Sequence, residues 1–111
     1  MKLPVSLLAL TLVGALRGTD AKQVTIRTFA FAPKALEVPV GATVVWTNAD
    51  DIEHTVTSGA PDHADGGFDY SLATKGAVAS TRFDSVGTWS YYCKRHSFMR
   101  GEIRVIPKGE R

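Results

Sequence analysis

From Gln23 onward the chain is a series of short stretches in which apolar and polar residues alternate. Alternation with a period of two puts every second side chain on one face of a strand. Residues 23–28 (QVTIRT) set Val24 and Ile26 on a common face, and residues 36–40 (LEVPV) alternate likewise. Residues 43–47 (TVVWT) are β-branched and aromatic, the composition strands favour. Residues 54–58 (HTVTS), 88–93 (TWSYYC) and 102–106 (EIRVI) continue the pattern, and residues 78–83 (VASTRF) follow it more weakly. Gly41, Gly59, Gly66, Gly67, Gly76, Gly87 and Gly101, with Pro33, Pro39 and Pro61, supply turns between these pieces. No helical period follows the first 21 residues. The pattern predicts an all-β fold of about eight short strands, a sandwich or a barrel. Residues 60–77, with one proline and three glycines, read as a long connection holding at most one short strand.

The opening residues follow a different rule. Met1-Lys2 is a short charged start, and residues 3–16 (LPVSLLALTLVGAL) are almost wholly apolar. That run of about 14 residues is shorter than the roughly 20 a membrane-spanning helix needs. Small residues follow, and cleavage after Ala15 or after Ala21 fits a secretory signal peptide. The expected organisation is a signal peptide over residues 1–21, cut between 15 and 21, and one domain over residues 22–111. An uncleaved N-terminal anchor is the competing reading.

Composition narrows the class. With 111 residues, 44% of them hydrophobic and 22% charged, the chain has room for one globular domain. Formal net charge is +2 and no run of Lys or Arg stands out, so nucleic-acid binding is not suggested. Cleavage after Ala21 removes Lys2, Arg17 and Asp20 and leaves a mature chain close to neutral. A single cysteine, Cys93, is unusual in an exported protein, where cysteines are normally spent in pairs. Its sulfur needs burial or a ligand role to escape oxidation.

The residues around Cys93 favour the ligand role. Cys93, His96 and Met99 stand three apart, directly after one expected strand and before another. A loop between strands can curl all three toward one centre. A second imidazole, His54, opens a strand far upstream. Two histidines, one cysteine and a weak axial methionine are the donor set of blue-copper sites. Thiolate and thioether suit Cu(I), and imidazole suits both copper oxidation states. A geometry between the preferences of the two states changes little when an electron arrives. Zinc also takes Cys and His, but its structural sites favour several cysteines. His63 lies in a Gly/Asp-rich stretch and reads as a solvated loop residue rather than a second metal site. Asp50, Asp51 and Glu53 read as a solvated turn.

Together these stretches resemble the plastocyanin and amicyanin group of cupredoxins, from about Val24 to Ile106. The resemblance rests on Phe31-Ala32-Pro33, residues 40–48 (VGATVVWTN), His54-Thr55-Val56, residues 87–93 (GTWSYYC) and the ligand loop. It implies a Greek-key sandwich with one copper at one end, ligated by His54, Cys93, His96 and Met99. It also implies that the Asn48 backbone donates a hydrogen bond to the cysteine sulfur. Two residues between His96 and Met99 resemble the short amicyanin loop, whereas Tyr92 before Cys93 resembles plastocyanin. Amicyanin-like loops commonly carry proline on both sides of the second histidine; here Arg95 and Ser97 stand there. Proline has no backbone donor, so this loop has an extra N–H with which to reach the sulfur.

The function expected is one-electron shuttling between exported redox proteins, in a bacterial periplasm or else a thylakoid lumen. The protein is expected to be monomeric, without catalysis, since four protein donors leave no open position for substrate. Electrons are expected to pass at His96, beside Phe98, or laterally at Tyr92. A basic rim of Lys94, Arg95 and Arg100 is expected to meet acidic partners. The alternatives are a copper carrier that hands over the ion and a binding module with a structural metal.

Overall fold

The structure, a computed structural model, describes residues 21–109. The signal-peptide reading concerns residues outside that range, apart from Ala21. Nine strands and no helix make up the described chain. They are β1 (Lys22–Ile26), β2 (Phe31–Ala32), β3 (Ala35–Pro39), β4 (Thr43–Asn48), β5 (His54–Ala60), β6 (His63–Leu72), β7 (Val78–Arg82), β8 (Gly87–Tyr92) and β9 (Arg100–Ile106). They form a four-stranded sheet, in the order β2-β1-β4-β7, and a five-stranded sheet, in the order β3-β9-β8-β5-β6. β1 runs parallel to β4, and β3 parallel to β9; all other pairs are antiparallel. The result is a cupredoxin-like β-sandwich.

Alternation does what it predicts. Along β4 the side chains of Val44, Trp46 and Asn48 are buried while those between are only half-buried. β9 turns Ile103 and Val105 inward against them. Val24, Ile26, Val38, Val56, Leu72, Phe83 and Tyr91 complete the core between the sheets. Full burial of an aliphatic side chain of this size contributes about 1.5–3 kcal/mol. Tyr91 crosses over Gly101, where any Cβ would lie 2.5 Å from the phenol ring and its oxygen. Burial pushes the Tyr91 phenol up to about 12.

β6 corrects the expectation of a long connection over residues 60–77. It is a ten-residue edge strand paired with β5, from His54↔Leu72 to Ala60↔His63, with an irregularity between Thr57 and Gly59. Its first five residues are all exposed, and only Phe68 and Leu72 are buried. It therefore carries almost none of the apolar alternation by which strands announce themselves. Gly59 makes the hairpin possible, with φ +109° and a Cβ position only 2.3 Å from the His63 carbonyl oxygen.

Candidate metal centre

β5 is buried along His54–Ser58, on both its faces. One face carries His54 and Val56 toward the sandwich interior. The other carries Thr55 and Thr57, which Lys94 and Asp69 cover. Thr57 donates to Asp69 Oδ1 at 2.9 Å, and the Lys94 ammonium donates to Asp69 Oδ2 at 2.8 Å. The Lys94 backbone N–H donates to Thr55 Oγ1 at 2.8 Å, fastening the turn after Cys93 to β5. Lys94 draws Asp69 below the usual carboxylate range, despite some desolvation.

The turn itself closes on short backbone bonds. Cys93 N–H donates to the Met99 carbonyl at 3.2 Å, and Met99 N–H to the His96 carbonyl at 2.9 Å. This curl brings Cys93 Sγ to 3.8 Å from His54 Nδ1 and 3.7 Å from His96 Nδ1. Among the described residues, these three form the one group of His, Cys and acidic side chains with donor atoms close enough to hold a metal, all within 4.8 Å. Each sulfur–nitrogen separation is one that a metal ion about 2.0–2.3 Å from both donors would bridge. Met99, 2% exposed, supplies the buried thioether on the same loop. His54 and Cys93 are fully buried, whereas His96 is half-buried. His63 lies outside this group, on the exposed start of β6.

The sulfur accepts a backbone N–H from Thr55 at 3.3 Å. This corrects the role expected of Asn48, whose N–H donates to the Ala77 carbonyl at 2.9 Å. The Asn48 side chain ties down the turn before His54 instead. Its Nδ2 donates to the carbonyls of Ile52 and Leu72, and its Oδ1 accepts from Asp50 N–H. The donor is Thr55 because β5 and β8 pair Thr57 with Tyr92, which continues to put the residue after His54 beside the Cys93 turn. Among the described residues, no Arg95 N–H reaches the sulfur, so the missing proline adds no such bond.

Asp50, expected to be solvated, belongs to the centre. Its Oδ2 lies 2.9 Å from His54 Nε2, and its side chain is 14% exposed. A carboxylate there holds the proton on Nε2 and leaves Nδ1 free as a donor. The same carboxylate accepts the N–H groups of Thr28 at 2.7 Å and Phe29 at 3.0 Å. Desolvation would raise the Asp50 carboxyl, but these N–H groups and His54 outweigh it and hold the carboxyl below its usual range. Phe29 in turn stands edge-on to both imidazoles, 5.4 Å from His54 and 4.9 Å from His96.

The expected docking residues separate into two groups. Phe98 is 70% exposed, and Lys94, Arg95 and Arg100 are exposed as well. Tyr92 is 4% exposed, so it offers no lateral surface. The basic rim is also partly neutralised, by the Lys94–Asp69 pair at 2.8 Å and an Arg95–Glu53 pair at 3.4 Å.

A cupredoxin sandwich whose end carries two imidazoles, one thiolate and one thioether defines the class: His54, Cys93, His96 and Met99 form a type 1 copper site arrangement. Comparisons agree. The family described as copper binding proteins, plastocyanin/azurin family, matches residues 19–106. Amicyanin of Paracoccus denitrificans is 32% identical over 74% of this chain and 63% of its own length. Amicyanin of Paracoccus versutus is 28% identical over 78% and 65%, so the match spans just under two thirds of these relatives. Plastocyanin of Scenedesmus fuscus is 33% identical over 68% of this chain and 85% of its own. Among solved structures, a purple cupredoxin from Nitrosopumilus maritimus superposes with a TM-score of 0.70 at 28% identity, covering 76% of this chain and 98% of its own. A reduced amicyanin variant also gives 0.70, at 30% identity, over 78% and 83%. The chain belongs to the plastocyanin/azurin family of copper-binding proteins.

Proposed function

We propose that the protein is an exported electron carrier that docks its redox partners at the His96 end of the sandwich. The observation that carries this reading is the asymmetry of the two imidazoles. His54 is fully buried with Nε2 held by Asp50, while half-buried His96 turns Nδ1 toward Cys93 and leaves its far edge facing outward. Copper, when bound, supplies the one-electron couple. The protein would hold it with four donors, His54 at the start of β5 and Cys93, His96 and Met99 on one loop, and it keeps water from the buried sulfur.

The surface around His96 supports brief docking. Phe29 and Phe98 flank its ring, with centroids 4.9 and 6.3 Å away. Ile52, 39% exposed, lies in the turn before His54. Transient redox interfaces are small, below about 1,200 Å² in total. Arg100 makes no ion pair among the described residues; its Nε donates to the Ser97 carbonyl. It is the cation we assign to an acidic group on the partner. Export in this reading rests on the apolar run over residues 3–16 and on a domain whose first strand begins at Lys22. A periplasm or a thylakoid lumen is the matching compartment.

Electron transfer with a natural partner tests the surface. Phe98→Ala is expected to slow transfer at every salt concentration. Arg100→Glu is expected to slow it at low salt only, since rim charges act through association and are screened within about 10 Å at 0.1 M. Unchanged rates in both variants would remove this face from consideration. Retention of copper against a chelator through repeated redox cycles separates the shuttle from a carrier that releases its ion.

A further inference from the structure

The β1–β2 connection is a two-residue turn closed by reciprocal bonds between Arg27 and Ala30, at 3.0 and 3.2 Å. Both central residues have positive φ, 55° for Thr28 and 58° for Phe29. Turns of this kind favour Asn and Gly, because a β-branched or bulky side chain is strained in the left-handed region. Here a threonine and a phenylalanine occupy it. Such strain persists only where the surroundings enforce it, and it gathers at functional sites. The enforcing group is Asp50, whose two oxygens take the N–H groups of both residues.

Nothing in the hydrophobic core explains the choice of phenylalanine. Phe29 is 39% exposed and is not part of the core. Its ring instead stands at 88° to His54 and 81° to His96. His54 already has Asp50 to orient it. His96 has no hydrogen-bond partner for its outer nitrogen among the described residues, and the bonds that anchor its loop, through the backbone, Thr55, Asp69, Glu53 and Arg100, do not involve its ring. Packing is what remains to fix the plane of the His96 ring.

We infer that Phe29, clamped in its strained turn by Asp50, is a positioning residue that locks the His96 imidazole in its ligating orientation. One carboxylate thereby serves both histidines, His54 by direct contact and His96 through the Phe29 ring. The inference rests on the type 1 copper reading of the site. It brings the β1–β2 turn into the centre, beside β5, the Asp50 turn and the ligand loop.

The test uses the full protein loaded with Cu(I), which is diamagnetic, and follows the ring resonances of both histidines by NMR. Absorption of the Cu(II) form is recorded alongside. Phe29→Leu keeps apolar bulk without the ring, and is expected to broaden the His96 ring signals several-fold and to alter the ratio of the visible bands. Phe29→Tyr is expected to restore wild-type behaviour. Asp50→Ala is expected to broaden His96 as well, although Asp50 does not touch it, and to add nothing at His96 in the Phe29→Leu background. Asp50→Asn covers the case in which Asp50→Ala does not fold, and should give a smaller effect of the same sign. His96 signals in Phe29→Leu as sharp as in wild type would overturn the inference, as would an Asp50 effect confined to His54. A wild-type protein with no thiolate-to-copper band would instead remove the copper reading on which the inference stands.

Discussion

The two halves of the copper end are built by opposite means. The half around His54 and Cys93 is held by a strand. β5 is buried on both faces, Thr55 gives its N–H to the sulfur and accepts the Lys94 backbone N–H on its hydroxyl oxygen, and Asp50 holds the far nitrogen of His54. The half around His96 belongs to a loop. Its backbone bonds fix where Cys93 and Met99 sit, but the His96 ring keeps an outward edge between Phe29 and Phe98. A buried, multiply bonded half sets ligand geometry, and in the carrier proposed above the half-exposed one is the route for an electron. Such a carrier needs both, because its site must change little while remaining within reach of a partner.

The sharpest way to break this comparison is to remove each imidazole in turn. His96→Gly and His54→Gly are both expected to lose the visible band. Added imidazole should restore it in His96→Gly at much lower concentration, since that position opens to solvent while His54 is fully buried. Equal rescue at the two positions would show that the halves do not differ in access. A titration of each variant followed by absorption decides it.

Met99→Leu asks whether the loop half also tunes the couple. The variant is expected to keep copper and shift the reduction potential upward, because a weak axial donor to Cu(II) is lost. Voltammetry of both proteins reads the shift, and a lowered potential would contradict the role of Met99.

The smallest effect expected concerns the fastening of the strand half. Thr55→Val keeps the N–H that reaches Cys93 but leaves the Lys94 N–H without its acceptor. Loss of such a part-buried hydrogen bond costs about 0.5–1.5 kcal/mol. Denaturant unfolding should show that loss while the visible spectrum stays unchanged. A changed spectrum would mean that the hydroxyl, as well as the N–H, governs the sulfur.

What the sequence reveals follows the same division. Strands that alternate cleanly, such as β4 and β9, are readable because burial repeats every second residue. β6 is not, since it is an edge strand with glycine and aspartate on exposed positions. The metal-ligand set is legible because Cys93, His96 and Met99 are close in sequence and chemically distinctive. The supports around it are not. Asp50 meets Thr28 and Phe29 across 22 and 21 residues, and nothing in an acidic turn announces that its carboxylate points inward. The family resemblance points to Asn48 rather than Thr55 as the donor to the sulfur for a related reason. A backbone N–H leaves no mark in the side-chain pattern, and only the β5–β8 register selects Thr55. Pairing of Lys94 with Asp69 and of Arg95 with Glu53 is likewise a product of strand order, which turns an apparently basic rim into a nearly balanced one.

The central claim is that His54, Cys93, His96 and Met99 hold one copper through the Cys93 thiolate. Titration of the purified copper-free protein with Cu(II), followed by visible absorption, tests it most directly. An intense thiolate-to-copper band should grow in, saturate at one copper per chain and be absent from Cys93→Ser. A protein that takes up copper without that band, or a Cys93→Ser variant that keeps it, would contradict the account.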